Sequence, residues 1–232
     1  MPSWPRSGAT SRVRRSLEIR RLGVVPYEDG LALQRALVEE RRTGATGDVL
    51  VLLQHPPVIT LGVKGDGGRA NILATGSRLA ELGIAVHESG RGGDVTYHGP
   101  GQVVGYPILD LKPDRCDVHR YVRDVEEVMI RTCADYGLAA GRIKGLTGAW
   151  VGAEKIGAIG VRISRWITSH GFAFNVGTAL DHFRLIVPCG ISDRGVTSPE
   201  RATGREIPMA EAEDALIRHF FDVFDRAAVP GQ

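Results

Sequence analysis

Cys189 stands between Pro188 and Gly190 in VPCGISDRG, Lys155 lies in GAEKIGAIGVRIS, and HGFAFN runs from His170 to Asn175. A proline cannot continue a helix or donate a ladder bond, so the Pro-Cys-Gly run sets its thiol on a turn outside regular structure. Lysine is scarce here: of 29 basic residues only Lys64, Lys112, Lys144 and Lys155 are lysines. Arginine stays protonated, whereas a lysine ammonium responds to burial and can exchange a proton near neutrality. An ammonium within about 4–6 Å of a thiol lowers its pKa by roughly one to three units, so Lys155 beside Cys189 would make an activated nucleophile. Read singly, Cys189 is a small buried hydrophobe and Lys155 a surface residue. His98 and His170 are alternative bases for a Cys-His pair or hydrogen-bonding walls of a pocket, and the wall is the reading preferred.

A second block, SGRGGDVTYHGPGQVVGYPILDL, offers a receiving surface. Arg91, Gly92 and Gly93 lead into the alternating stretch Asp94 to Tyr97, and Gly99, Pro100 and Gly101 force a reversal before a strand from Gln102 to Leu109. Pattern alone predicts a glycine-rich hairpin. The functional alternative is a loop whose N–H groups and Arg91 receive an anionic or carbonyl-bearing ligand. Neither GxxxxGK[ST] nor GxGxxG occurs, so nucleotide binding has no motif support. Cys116 with His119 resembles a metal fragment, but two ligands without a second pair are weak evidence, and no metal is expected. Cys133 falls on an apolar helical face and reads as core.

The elements that must position these groups follow from periodicity. Ser16 to Leu22 reads as a strand and Tyr27 to Arg42 as a helix closed by Gly44, together an opening βα unit. The apolar run Asp48 to Leu53 predicts a strand buried on both faces. Val58 to Leu61 resumes as a strand, GVKGDGGRAN is a polar loop, Ser77 to Leu82 a short helix and Ile84 to His87 another strand. Asp117 to Tyr136 is a helix with Asp117 as N-cap. Strands at Ala139 to Ile143, Ala149 to Val151, Ile156 to Ile163 and Gly171 to Val176 predict a mostly antiparallel second half. Thr178 to Phe183 is a short helix, and Met209 to Arg226 is amphipathic.

RGGDVTYHGPGQVVGYPI, GLTGAWVG, KIGAIGVRISRWITSHGFAFNV and IVPCGISDRGVTS, with HPPVITLG, together resemble the lipoyl (octanoyl) transferase family from about Leu17 to Arg226. That resemblance implies an α/β (α+β) fold, a mixed β-sheet flanked by helices, like the catalytic domain of biotin and lipoate protein ligases. It implies transfer of octanoyl from octanoyl-acyl carrier protein to a lysine of lipoyl domains, those of 2-oxoacid dehydrogenases and of the glycine cleavage H protein. Cys189 is implied as the acyl-thioester nucleophile and Lys155 as the group that lowers its pKa. Implied substrate contacts are Arg91, Gly92, Gly93, Asp94, Val95, Thr96, Tyr97 and His98, then Ala158, Ile159 and Gly160, then Gly171, Phe172 and Ala173. The sequence departs from the family at Asp94, Gly157 and Pro199. No cofactor is implied.

With 232 residues, 43% apolar and 24% charged, the chain can bury one large core, so a single catalytic domain over residues 17–232 is expected. A net charge of +2 without a basic stripe argues against nucleic-acid binding. The leader from Met1 to Ser16 carries four arginines and no acid. It reads as a disordered tail or overlong start, or as an organelle transit peptide. No apolar run approaches the ~20 residues of a membrane span and no secretory h-region occurs, so a cytoplasmic protein with no membrane partner is expected. Three cysteines make no disulfide framework. Two other functions remain open: an ATP-dependent lipoate ligase, which needs no cysteine at 189, and a non-catalytic acyl-binding module. Lys64, Arg69 and Arg91 could form a basic rim for an acidic carrier.

Overall fold

The computed structural model describes residues 14–64, 69–187 and 194–229. Cys189 and the leader up to Val13 lie outside the described residues. In chain order the elements are β1 (Arg15–Val24), α1 (Tyr27–Thr43), β2 (Asp48–Gln54), β3 (Val58–Leu61), α2 (Gly76–Glu81), β4 (Ala85–Glu88), β5 (Thr96–His98) and β6 (Gln102–Ile108). There follow α3 (Val118–Asp135), β7 (Ala140–Ile143), β8 (Leu146–Val151), β9 (Glu154–Ser164), β10 (Ile167–Asn175), α4 (Pro199–Thr203), α5 (Met209–Phe224) and β11 (Arg226–Ala228). Eight strands form one mixed sheet in the order β11-β1-β2-β6-β10-β9-β8-β7, and β4-β3-β5 form a small second sheet.

The opening βα unit is present: β1 and β2 pair in parallel with α1 as crossover. Gly44 ends α1 in the left-handed region at φ 80°, where its N–H reaches the Glu40 carbonyl, a conformation that suits glycine. β2 is an unbroken apolar run because both its faces are covered. Leu50 and Leu52 face the core under α3 and α5, and Val49, Val51 and Leu53 face the core under α1. Asp117 caps α3 as its sequence predicts, accepting from the Arg120 N–H, and Cys133 is buried in the core with its thiol pushed up to about 12 by desolvation. The second half is antiparallel, β6-β10-β9-β8-β7.

Three expectations need correction. The Gly99–Pro100–Gly101 reversal does not close a hairpin: β5 pairs with β3 in the small sheet and β6 with β2 and β10 in the large one. Gly101, at φ 81°, lies so close to Gly177 that a Cβ would meet its carbonyl carbon at 2.7 Å. The glycines thus serve a crossing between sheets. The C-terminal helix stops at Phe224, since Asp225 turns left-handed at φ 50°, and Arg226–Ala228 forms an unforeseen strand parallel to β1. β1 begins at Arg15, so the last two residues of the expected leader belong to the sheet.

Those outer strands are tied by a buried carboxylate. Asp48, at the start of β2, accepts from Arg15 at 3.0 Å, Arg41 at 2.9 Å, Arg226 at 3.2 Å and the Asp110 N–H at 3.1 Å. Burial lowers the Arg226 pKa, opposed by the Asp48 charge. Removing one partner of a buried ionic cluster leaves uncompensated charge. Asp48→Ala should therefore lower stability by about 3–5 kcal/mol, read as a lower urea midpoint.

Candidate acyl-transfer site

Lys155 is positioned by a bulge. Ala149 pairs with Gly157 while Trp150 pairs with Lys155, so β9 carries one extra residue, Ile156, against β8. Bulges of this kind re-aim side chains. The β8 backbone before it is held from α3: the Gly148 N–H, at φ 124°, donates to Glu126 Oε1 at 3.0 Å. Glu126 is buried and in turn held by Arg123 at 2.7 Å and Arg142 at 2.9 Å. Lys155 Nζ lies 4.8 Å from the centre of the Trp150 ring, a cation–π distance. The Lys155 backbone pairs with the stretch that follows Cys189 in sequence, donating to Gly195 O and accepting from the Thr197 N–H, both at 2.9 Å. On the other side of the 188–193 stretch, the Val187 N–H donates to Asn71 O at 2.7 Å.

An open groove of about 420 Å³ runs past Lys155, between the Gly145–Thr147 turn and the loop of Gly92, Gly93 and Asp94. Across Ala158, Ile159 and Gly160 it adjoins a narrow slot of about 50 Å³. One wall of the slot is the large sheet, where β9, β10 and β6 present Ala158 opposite Ala173 opposite Val104, and Gly160 opposite Gly171. The other wall is the Arg91–His98 stretch. Gly160 is required by a close approach: a Cβ there would meet Arg91 Cδ and Gly92 O at 2.9 Å.

Polar groups of the slot form a connected set. Arg91, 8% exposed, donates from Nη2 to Thr60 O at 2.7 Å and to its hydroxyl at 2.9 Å. The Thr60 hydroxyl lies 3.3 Å from His98 Nε2, and His98 Nδ1 donates to Gln102 Oε1 at 2.7 Å. Gln102 donates to Asn175 Oδ1 at 2.9 Å, and Asn175 donates to Thr197 O at 2.9 Å. The set therefore ends on the 195–197 stretch that pairs with Lys155. Burial, helped by nearby positive charge, pushes His98 down to about 3 and His170 down to about 4, so both rings are neutral at pH 7. That state suits walls. His170 takes a left-handed φ of 54°, and its N–H donates to Gln34 Oε1 of α1 at 2.7 Å. Non-glycine residues held there are strained, and such strain gathers at sites.

Of the residues expected to contact substrate, Arg91, Gly93, Asp94, Val95, Thr96, His98, Ala158, Ile159, Gly160, Gly171, Phe172 and Ala173 line the slot. Gly92 instead lines the Lys155 groove. Tyr97 points the other way, into the small-sheet core, with its hydroxyl 2.7 Å from His182 Nδ1. Asp94 is fastened by accepting from Asn71 Nδ2 at 2.9 Å. Tyr27, Val104, Tyr106 and His170 also line the slot. Tyr27 reads in the sequence only as the start of a helix, and Val104 and Tyr106 only as part of a strand, whereas His170 is read there as a wall of the pocket. The basic rim is corrected: Arg91 is buried against Thr60, and Arg69 pairs with Glu88 at 2.7 Å, so only Lys64 of the three remains on the groove. Among the described residues, no group of three or more His, Cys, Asp or Glu is placed to hold a metal ion, and no helix is long and apolar enough to cross a membrane.

The lipoyl protein ligase A/B catalytic domain matches residues 26–221. An octanoyltransferase of Solibacter usitatus is 50% identical over 213 residues, covering 92% of this chain and 95% of that one. The chain belongs to the octanoyltransferase family, and so to the acyltransferases. A Myxococcus xanthus octanoyltransferase is 55% identical over 92% of the chain, which spans 61% of that relative's length. In structure the chain resembles a T. acidophilum protein assigned as a lipoate protein ligase, solved with lipoic acid, at TM-score 0.72 and 16% identity, covering 92% of this chain and 88% of that one. At that identity the likeness is one of fold, and it agrees with the mixed sheet flanked by helices.

Because His98 and His170 are depressed in the folded state but titrate near 6.5 when unfolded, the unfolded chain binds more protons below pH 6.5. Their contribution is complete above pH 6.5 and is lost as pH falls towards 4 and 3, by at most about 1.4 kcal/mol per pH unit for each ring. His98→Gln should flatten the fall in Tm between pH 6.5 and 4.5 relative to the parent chain. Equal slopes would show that His98 is not held neutral.

Proposed function

We propose that the chain transfers octanoyl from octanoyl-acyl carrier protein, through a thioester on Cys189, to a lysine of lipoyl domains. The observation that carries this reading is the pairing of the Lys155 backbone with Gly195 and Thr197, which ties the lysine to the stretch following Cys189, beside an apolar slot. It is supported by about 50% identity over nine-tenths of the chain to proteins named octanoyltransferase.

In the first step the Cys189 thiolate attacks the carrier thioester carbonyl, forming a new C–S bond. The old C–S bond breaks, and the carrier leaves as a thiol after taking a proton. One thioester replaces another, so the step needs no ATP. Lys155 as an ammonium favours the thiolate beforehand and can supply that proton. In the second step a lipoyl-domain amine attacks the acyl-enzyme, a C–N bond forms, the Cys189–acyl bond breaks, and Lys155 can take the proton that the amine gives up. The product amide is more stable than the thioester, so the step runs downhill. His98 and His170, neutral at working pH, orient groups through hydrogen bonds, and Arg91 supplies a buried positive charge at the slot.

Enzyme mixed with octanoyl carrier protein, without nucleotide and with a chelator present, should gain one octanoyl group by mass spectrometry. Cys189→Ser should lose the alkylation-sensitive adduct, and the parent adduct should pass to apo lipoyl domain. Activity that appears only with ATP and free octanoate would move the assignment to a ligase. Lys155→Met should leave the fold intact and raise the pH at which Cys189 is alkylated by one to three units, about the loss of one nearby charge. An unchanged profile would show that the two residues are uncoupled.

A further inference from the structure

One edge of the slot is lined by the large side chains Tyr27, Val104 and Tyr106, and the position of that edge sets a length. On the large sheet its wall is made of alanine and glycine over β9 and β10, then of Val104 and Tyr106 on β6. Val104 stands directly opposite Ala173, and Tyr106, two residues on, shares the same face. The change from small to large side chains is therefore a step in the wall. Behind it the Tyr106 ring is fixed: its hydroxyl donates to His55 Nε2 at 2.7 Å, and His55 Nδ1 donates to Val25 O at 2.7 Å. His55 is fully buried and desolvation lowers its pKa, which keeps Nε2 an acceptor. Gly30 of α1 leaves no slack, since a Cβ there would meet His55 Cε1 at 3.0 Å. Tyr27 closes the corner, its ring 5.1 Å from that of His55.

From these observations we infer that Tyr106, braced by His55, is the stop that selects acyl chain length, a role that rests on the acyl-transfer reading above. From β9, the strand of Lys155, to β6 is two strand spacings, about 10 Å. An eight-carbon chain contains seven C–C bonds of about 1.5 Å, a contour of about 10 Å. An acyl group entering beside Ala158 and crossing Ala173 meets Val104 and Tyr106 at its last carbons. Longer chains are refused by the ring, and shorter ones leave the end of the slot unfilled.

The test compares hexanoyl, octanoyl, decanoyl and dodecanoyl carrier thioesters as donors to apo lipoyl domain, and measures binding of the corresponding free fatty acids by calorimetry. Tyr106→Ala should raise the dodecanoyl-to-octanoyl ratio of kcat/KM by about tenfold or more, the scale on which a pocket senses a few methylenes. Tyr106→Phe, which keeps the ring and loses the bond to His55, should keep the parent preference for octanoyl. Ala173→Val, which narrows the wall one strand earlier along the path, should shift preference towards hexanoyl. Where Tyr106→Ala unfolds, Tyr106→Leu and Ala173→Val carry the test, both required to keep a cooperative melt. A folded Tyr106→Ala or Tyr106→Leu with an unchanged length ratio in both transfer and binding overturns the stop. A parent enzyme that transfers no acyl group overturns the transferase reading instead, and the fatty-acid affinity order still decides the stop.

Discussion

The site depends on the antiparallel register of β6, β10 and β9. Side chains alternate faces with period two, so one register places Ala158, Ala173 and Val104 in a row and sends the rings of Phe172 and Phe174 to the opposite core. A slip by one residue would fill the slot with phenyl rings. The register is also guarded at Gly105, where a Cβ would meet the Phe172 ring at 2.3 Å, and at Gly171, where it would meet Gly105 O at 2.1 Å. Glycine there is a condition of strand approach.

A second constraint acts at right angles to the strands. Buried polar groups must find partners, and here that need links distant pieces of chain. Glu126 on α3 fixes the Gly148 backbone beneath the Lys155 bulge, and the Thr60–His98–Gln102–Asn175 set runs from Arg91 to Thr197. Each group bonds its neighbour, so a neutral His98 and a buried guanidinium can sit at an apolar slot. The low pKa values of His98 and His170 follow from that burial. They keep both rings neutral, leaving the proton exchange of the proposed mechanism to Lys155.

The slot and the groove meet along one strand. β9 carries Lys155 at its start and Ala158 to Gly160 as the shared wall, so an acyl chain in the slot and a reacting group in the groove would be placed by the same backbone. The Arg91–Asp94 loop closes over that strand because Gly92 donates to Val161 O at 2.9 Å and because Gly160 lacks a side chain. Arginine at 91 thus acts inward, as a buried charge, and not as part of a surface that meets an acidic partner.

Local chemistry was legible in the residues themselves. The both-face burial of DVLVLL, the Asp117 cap, the Gly44 stop and the α3 face with Cys133 all depend on neighbours within a few positions. The motif resemblance reached further, bringing most of the slot wall into view. What only the tertiary structure decided involves partners far apart in sequence. A Gly-Pro-Gly turn reverses the chain in either case, but whether it joins two strands of one sheet or carries the chain to another depends on β3 and β10, which no local pattern encodes. Tyr97 and Thr96 alternate as any strand does, and which of them faces the slot is set by where the small sheet docks. Tyr106 reads as one more buried aromatic until His55 and α1 are packed behind it. β11 has three residues and no periodicity of its own, and exists because β1 offers an edge and Asp48 a buried charge for Arg226.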